Sequence, residues 1–434
     1  MSGRQLHLGL NAPVGVRGSE WRRPGADPLG AANAEYYIRA AQLAERGLLD
    51  AFFINDQPVL RPGYETSPAP LRLEPLIALA SVAQHTDRIG LVGTLSTTFN
   101  HPYSLARAVG SLDRASHGRA GWNVVTSYNP QIAAGFGDQG SLPKQERYAR
   151  AREFVEVVVK LWQTWAPDAI VADQQSGRFA DPAKVRPVRH HGDHFSVTGG
   201  LSVPSSEQGL PVLFQAGASA GGLDLAARYA DATFVSAPAF DVAVDYRRRL
   251  AAASTARPPG RPPVLSMPGA TLVLASTEGE AEARWEESLI ADGAAGSVAH
   301  LAARLGLPPG ALDLDAPVPL DLVDVERRKR EDSEGFVSSI VAVARTGRIV
   351  REILRDGVGH LQIVGSPKTV ADLFERWFTA GVADGFNLMF DVIDEGLPLF
   401  VAEVVPILQD RGLFRRAYEG TTLRAHLGLP IPRW

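Results

Sequence analysis

Residues 89–126 read IGLVGTLSTTFNHPYSLARAVGSLDRASHGRAGWNVVT, and this stretch decides the fold class. It begins with an apolar run, Ile89 to Leu95, of the kind that forms a buried strand. A helical segment follows from Ser104 to Ser116, and a second apolar run covers Ala120 to Thr126. Two buried strands joined through a helix predict a parallel βαβ unit.

The same alternation continues on both sides of this unit. The other apolar runs interpreted as strands are Leu6–Leu10, Ala51–Ile54, Pro211–Ala216, Thr233–Val235, one within Pro263–Ala275, and Phe386–Phe390. Eight parallel strands with helical crossovers predict an α/β fold, a single (β/α)8 TIM barrel spanning 1–434. An open doubly wound sheet is the competing architecture. It is disfavoured because no strand leads into the Gly-x-Gly-x-x-Gly turn of a dinucleotide-binding fold.

Three segments break the alternation and are expected to be additions to the barrel. Residues 167–210, before the fifth strand, are rich in Gly, Asp and His and predict a hairpin-like excursion. Residues 291–335 contain Pro, Gly and Asp and predict an insertion at the C-terminal face. Residues 411–434 predict an irregular tail. The charged run at 326–331 mixes both signs, which favours a solvated helix end over a nucleic-acid patch.

The composition excludes several classes of protein. The chain has 434 residues, 44 Lys and Arg against 48 Asp and Glu, a net charge of -4, and no Cys. Disulfides, iron–sulfur clusters, Cys-ligated zinc and a Cys nucleophile are therefore excluded. The near-neutral charge and the lack of a long apolar run predict a protein that binds neither nucleic acid nor membrane. We expect a cytoplasmic protein, since the N-terminus lacks an apolar signal core.

Polar residues follow the predicted strands at their carboxyl ends, where the active site of a (β/α)8 barrel lies. These residues are Asn11, Asn55, Asp56, Thr94 to Thr98, Asn123 to Ser127, Gly217 to Ala220, Ser236 and Asp391. Most are neutral hydroxyl or amide groups, which suit the orientation of a planar, hydrogen-bonding ligand.

Three other chemistries can be compared with this set. Glycoside hydrolysis needs two nearby carboxyl groups, and only Asp56 and Asp391 qualify. The His cluster at 190–194 lies in the first excursion, which favours a surface turn over a metal site, and we predict no metal. The run from Gly217 to Gly221 has the letters of a serine-hydrolase elbow, Gly-x-Ser-x-Gly.

The Gly217 to Gly221 run also fits a second interpretation, which we favour. It lies between a strand and a helix, so its backbone N–H groups and the Ser219 hydroxyl can bind a phosphate at the helix N-terminus. A hydrolase would need a His converging on Ser219, and no strand end provides one.

Five stretches together resemble the bacterial-luciferase-like flavin monooxygenases, and most closely the branch of nitrilotriacetate, dibenzothiophene-sulfone and pristinamycin monooxygenases. The stretches are 20–24 (EWRRP), 101–107 (HPYSLAR), 118–127 (GRAGWNVVTS), 211–219 (PVLFQAGAS), and the tail pair 383–388 (ADGFNL) with 411–414 (RGLF). They occur in the family's order along the whole chain.

The resemblance implies a luciferase-like barrel that receives reduced FMN (FMNH2) from a separate NAD(P)H:flavin reductase. In the family, O2 adds to the flavin as a C4a-(hydro)peroxide that oxygenates a small organic substrate. Asp56 and Thr94 match positions near the isoalloxazine ring, and Asn123 matches an amide beside the flavin. Tyr148 and the turn Gly217, Ala218 and Ser219 match phosphate-binding positions. Homodimers or homotetramers are usual in the family.

The chain also departs from the family pattern at two positions. Lys144 stands where members often have His, and Ala218 stands where a second hydroxyl is common. We assign no catalytic base. The two departures keep open the alternative that the protein binds flavin without turnover. A deazaflavin (F420)-dependent oxidoreductase on the same scaffold is the other alternative. The resemblance further implies that residues 291–335 form a lid and that Tyr128 helps to select the substrate.

Overall fold

The strand–helix–strand unit at 89–126 forms as predicted and belongs to a closed parallel barrel. The computed structural model describes residues 4–12, 20–23, 25–60, 71–127, 129–137, 142–257, 260–291, 294–331 and 334–432. Tyr128 lies outside the described residues, as do Pro24 and parts of the predicted 291–335 insertion.

The strands and helices are numbered in chain order. The strands are β1 His7–Ala12, β2 Ala51–Ile54, β3 Gly90–Ser96, β4 Ala120–Val125, β5 Ile170–Asp173, β6 Arg178–Ala180, β7 Val188–His191, β8 Ser196–Gly199, β9 Val212–Ala216, β10 Ala232–Val235, β11 Leu265–Leu274, β12 Leu361–Gly365 and β13 Gly385–Phe390. The helices are α1 Ala34–Arg46, α2 Pro75–Ala83, α3 Pro102–Ala115, α4 Pro130–Gly135, α5 Lys144–Trp162, α6 Ala220–Tyr229, α7 Phe240–Ala253, α8 Glu278–Ala291, α9 Ala294–Leu305, α10 Val325–Glu331, α11 Glu334–Ala344, α12 Val350–Asp356, α13 Pro367–Thr379, α14 Ile393–Leu399, α15 Val405–Asp410 and α16 Leu423–His426.

The eight predicted strands close into the barrel in the order β1, β2, β3, β4, β9, β10, β11 and β13. Every neighbouring pair is parallel, and the ring closes where Gly9 of β1 pairs with Asn387 of β13. The prediction of a closed (β/α)8 barrel is therefore confirmed.

One strand was missed by the sequence analysis. β12 pairs in parallel with Ala270–Leu274 of β11, beyond the half of β11 that pairs with β10. β11 can serve both neighbours because it is ten residues long. The five residues of β12 lie between α12 and α13, bounded by Gly357 and Gly359 on one side and Gly365 on the other. The apolar run is short, and these turn signals were not used to separate it from the two helices.

The excursion at 167–210 contains two antiparallel hairpins, β5 with β6 and β7 with β8. The insertion after β11 has an apolar cluster of its own, in which α8, α9, α11 and α12 pack against β11 and β12. No helix in the described part of the chain is long and apolar enough to cross a membrane.

The tail is irregular except for α16, which closes the N-terminal end of the barrel. Leu423 of α16 is fully buried among inward-facing residues such as Phe53 and Phe214. It lies against two glycines, Gly90 and Gly121, and a Cβ at Gly121 would stand 3.1 Å from its Cδ2 atom. Because the lower end is filled by side chains, a ligand can enter only from the opposite, C-terminal end.

Candidate functional site

Four adjacent strands bring most of the predicted site residues to one arc of the barrel mouth. β2, β3, β4 and β9 are neighbours in the sheet. Asp56 follows β2, Thr94 lies in β3, Asn123 lies in β4, and the turn of Gly217 to Ser219 follows β9. The prediction that these residues share one site is consistent with this placement.

Thr94 and Asn123 form a buried polar pair inside the barrel. They pair in register between β3 and β4, and the Asn123 Nδ2 atom donates to the Thr94 Oγ1 atom at 3.0 Å. The Asn123 Oδ1 atom is also buried, and it has no hydrogen-bond partner among the described residues. A buried acceptor left without a donor costs about 1–3 kcal/mol. A ligand N–H group would remove this cost.

The turn after β9 presents unpaired donors. Gly217 has a φ of 146°, a backbone conformation that favours glycine. Ser219 caps α6, and its hydroxyl oxygen accepts from the Gly222 N–H at 3.3 Å. In the part of the chain that the structure describes, the N–H groups of Ser219, Ala220 and Gly221 donate to no protein acceptor. Such a helix start attracts anions.

Tyr148 completes this turn from the side of α5. Its hydroxyl lies 3.0 Å from the Ser219 Oγ atom. Its ring packs directly on Gly221, where an added Cβ would stand 2.6 Å from the ring Cδ2 atom. The glycine thus allows the tyrosine to reach the turn.

An open cleft of about 720 Å³ borders this turn between the first turns of α5 and α6. Its lining includes Lys144, Tyr148, Arg152 and Gly221, together with the acidic Glu146. Arg152 is held toward α6 by Asp224, at 3.5 Å. Glu146 and Asp224 offset the charges of Lys144 and Arg152, so the unpaired N–H groups are the main feature of this corner that favours an anion.

Residues 18–384 match the family model described as luciferase-like monooxygenase. The chain belongs to the luciferase-like monooxygenase family. It is 38% identical over 453 residues to nitrilotriacetate monooxygenase component A of Aminobacter aminovorans, covering 99% of this chain and 98% of that protein. It is 37% identical over 438 residues to N-acetyl-S-(2-succino)cysteine monooxygenase of Bacillus subtilis (strain 168), covering 99% and 98%. The predicted family and its nitrilotriacetate branch are confirmed.

Solved structures agree with this assignment. EDTA monooxygenase from Chelativorans sp. BNC1 superposes with a TM-score of 0.82 at 33% identity, covering 98% of this chain and 99% of that one. Riboflavin lyase, solved with a modified FMN and riboflavin, gives 0.84 at 32% identity, covering 99% and 97%. This luciferase-like monooxygenase is therefore an oxidoreductase that incorporates oxygen.

Asp56 is the predicted site residue whose ionisation is most perturbed in this luciferase-like monooxygenase. Burial, reinforced by the negative charge of Glu74, raises the pKa of the Asp56 carboxyl to about 6, against an opposing effect of Arg72. The side chain is half-buried at the mouth. A carboxyl group that changes charge near neutral pH is typical of a functional site.

We expect the raised pKa of Asp56 to weaken the fold progressively as the pH rises from about 4 through about 6, and by a constant amount above that. A carboxyl group whose pKa is higher in the folded than in the unfolded state favours folding when protonated and opposes it when ionised. The variant Asp56→Asn should therefore have a free energy of unfolding about 1–3 kcal/mol above wild type at pH 8, falling toward zero near pH 4. Urea unfolding at several pH values measures this. The exposed Asp193→Asn serves as the control, and a gain independent of pH would contradict the prediction.

The glycoside-hydrolase alternative is not supported, because Asp391 is fully engaged. Arg284 of α8 binds it in a bidentate pair, at 2.6 and 3.0 Å. The same guanidinium reaches Glu395 at 2.8 Å, and Glu395 also accepts from Arg23 at 3.0 Å. This network joins the 20–23 segment to α8 and α14, and it gives Asp391 a structural contact in place of the free carboxyl group that glycoside hydrolysis needs.

The serine-hydrolase alternative fails on backbone geometry. A nucleophile elbow holds its serine in a strained conformation at a sharp turn. Ser219 has relaxed extended angles, φ -71° and ψ 162°, and its hydroxyl is used by Tyr148 and Gly222. The hydroxyl therefore orients the turn.

The histidine cluster at 190–194 is structural. Glu153 of α5 accepts from the His190 Nε2 atom at 3.0 Å and from the N–H groups of His194 and Phe195 at 2.9 and 2.8 Å. These hydrogen bonds outweigh burial and hold the pKa of Glu153 below its usual value. Among the described residues, no group of three or more His, Cys, Asp or Glu could hold a metal.

Two residues near the site were missed by the sequence analysis. His360, just before β12, packs over Gly269 and stacks on Phe234 of β10, with ring centroids 5.2 Å apart. Burial lowers the pKa of His360 to about 4, so the ring is neutral at pH 7. Arg249 of α7 contacts the turn after β9. His360 was missed because β12, which it precedes, was not predicted. Arg249 was missed because it is one of three consecutive arginines that the sequence does not distinguish.

Proposed function

We propose that this protein is the oxygenase of a two-component system, which uses FMNH2 from a separate NAD(P)H:flavin reductase, and O2, to oxygenate a small organic substrate. The observation that carries the proposal is the corner built by Tyr148, Ser219 and the unpaired N–H groups at the start of α6. A helix start with unpaired N–H groups and two hydroxyls beside them is suited to bind a phosphate.

The residues present fit FMN at both ends. Tyr148, Ser219 and the backbone at Gly217 and Ala218 would hold the phosphate, with Lys144 as a nearby cation. The buried Asn123 Oδ1 atom lacks a donor among the described residues and would accept from a ring N–H. Thr94 fixes that amide by its hydrogen bond. Asp56, which follows β2, would lie at the edge of the ring, two strands away from Asn123 in β4.

The floor of the mouth is aromatic. Phe53 packs edge-on against Phe214 at 5.6 Å and against Phe234 at 5.5 Å. When bound, the reduced flavin supplies the two electrons that let one atom of O2 enter the substrate while the other leaves as water. The apolar floor keeps bulk water from this chemistry.

The relatives support the two-component arrangement and the flavin. One is named component A, and one structural neighbour was solved with a modified FMN. We extend the proposal to a lid role for residues 291–335, a homodimer or homotetramer, and a cytoplasmic location. Limited proteolysis with and without FMN tests the lid, and light scattering tests the assembly.

The wild-type protein provides the test of the proposed function. We expect it to bind reduced FMN anaerobically, and to oxygenate a substrate only when a flavin reductase and NAD(P)H are present. Nitrilotriacetate and N-acetyl-S-(2-succino)cysteine are the first probes, with ¹⁸O2 and mass spectrometry as the readout. Tightly bound FMN that NAD(P)H reduces directly would contradict the two-component scheme. Preferential binding of reduced deazaflavin would instead indicate hydride transfer.

A further inference from the structure

Arg249 contacts the proposed phosphate turn from behind. It lies near the end of α7, which packs beside α6. Its Nη2 atom donates to the Ala218 carbonyl oxygen at 2.7 Å. Its only ion-pair partner among the described residues, Asp245, is 3.9 Å away. The hydrogen bond to the turn is therefore its closest polar contact.

This contact fixes the direction of one donor in the turn. The Ala218 carbonyl and the Ser219 N–H belong to the same planar trans peptide, so the two groups point in opposite directions. With the carbonyl bound by Arg249, the Ser219 N–H points away from α7. That N–H has no acceptor among the described residues. The guanidinium also places a positive charge behind this donor.

We propose that Arg249 is a positioning residue that makes the turn selective for a phosphorylated flavin. This inference rests on the proposed function, because it assumes that the turn holds the FMN phosphate. Arg249 orients the peptide and raises the positive potential at the turn without contacting the isoalloxazine ring. Its effect is therefore confined to ligands that carry the phosphate.

The neighbouring Arg248 provides a matched control. It lies on the same helix, and its Nη2 atom donates to Asp245 at 2.6 Å. Its side chain is 75% exposed. Replacing it removes the same charge from α7 without removing a hydrogen bond to the turn.

The experiment compares FMN with riboflavin, which lacks the phosphate. The dissociation constants of both ligands are measured by flavin fluorescence for wild type, Arg249→Met, Arg249→Lys and Arg248→Met. We expect Arg249→Met to weaken FMN binding about ten-fold, since a charge-assisted hydrogen bond is lost, and to change riboflavin binding less than about two-fold. Arg249→Lys should recover part of the FMN affinity, and Arg248→Met should change neither constant.

Two results would overturn the inference. Equal weakening of both ligands by Arg249→Met would show a general structural role, and two unchanged dissociation constants would show no role. Failure of the proposed function is seen separately in the wild type, as equal affinity for FMN and riboflavin. Thermal unfolding of each variant confirms that the compared proteins are folded.

Discussion

Replacing Gly221 by alanine is expected to weaken FMN binding about 100-fold while the chain stays folded. The new Cβ would stand 2.6 Å from the Tyr148 Cδ2 atom and 2.7 Å from its Cγ atom, closer than atoms can approach. Tyr148 must therefore swing away from the turn and lose its contact with Ser219. Loss of a charge-assisted hydrogen bond to phosphate, together with the distorted turn, accounts for about 2–3 kcal/mol.

Gly279→Ala is the matched control for this prediction. Gly279 is also the second residue of a helix, α8, and an added Cβ would meet nothing within 4 Å. We expect its FMN dissociation constant to equal that of wild type in the same fluorescence titration. An unchanged FMN affinity in Gly221→Ala would show that Tyr148 does not reach the phosphate.

The barrel could be predicted from the sequence because its signal is local and repeated. Each buried strand is a short apolar run, and in each crossover helix the apolar residues recur with the period of a helix, as in 89–126. The strand ends follow directly, so the placement of Thr94 and Asn123 on adjacent strands needs only the strand order. The phosphate role of Ser219 followed from its place between a strand and a helix. The family resemblance added the roles of Asp56 and Tyr148, which no periodicity indicates.

The remaining features depend on tertiary contacts, and the sequence could not show them. Tyr148 and Gly221 lie in different helices, far apart in the sequence, and their contact exists only in the folded chain. In the sequence they cannot be told from an ordinary core tyrosine and an ordinary helix glycine. Arg249 cannot be distinguished from Arg247 and Arg248 by residue type. The tail seemed irregular because its one helix, Leu423–His426, is too short to show a period.

The site residues and the buried ion pairs lie at opposite ends of the barrel. At the C-terminal end, polar groups lack partners and Asp56 has a raised pKa. At the N-terminal end, buried charges form ion pairs: Asp50 accepts from the Leu8 N–H at 2.7 Å and pairs with Arg415 of the tail, and Arg424 pairs with Asp231 at 3.1 Å. Substitutions at this lower end should therefore affect the fold and leave ligand selectivity unchanged.

The variant Asp50→Asn is expected to lower the free energy of unfolding by about 3–5 kcal/mol, because it leaves the Arg415 guanidinium buried without a counter-charge. Both side chains are almost inaccessible, with 0% and 4% exposure. Burial alone would raise the pKa of Asp50, but the charges of Arg415 and His7 and the hydrogen bonds from His7 and the Leu8 N–H hold it below its usual value. Urea unfolding at pH 7, with refolding checked, measures the loss.

A double variant separates the ion pair from simple packing damage. Asp50→Asn with Arg415→Met removes both charges, and we expect it to recover much of the stability lost in the single variant, since an apolar replacement of a buried pair is often neutral. A double variant as unstable as Asp50→Asn would contradict the ion-pair explanation. The pH dependence has a definite sign: a lowered folded pKa stabilises the fold above about pH 4, and this contribution disappears as the pH falls through the folded pKa. The difference in stability between wild type and Asp50→Asn should therefore shrink in acid. The difference for Asp56→Asn should shrink in acid as well, but it has the opposite sign, because ionised Asp50 stabilises the fold and ionised Asp56 destabilises it.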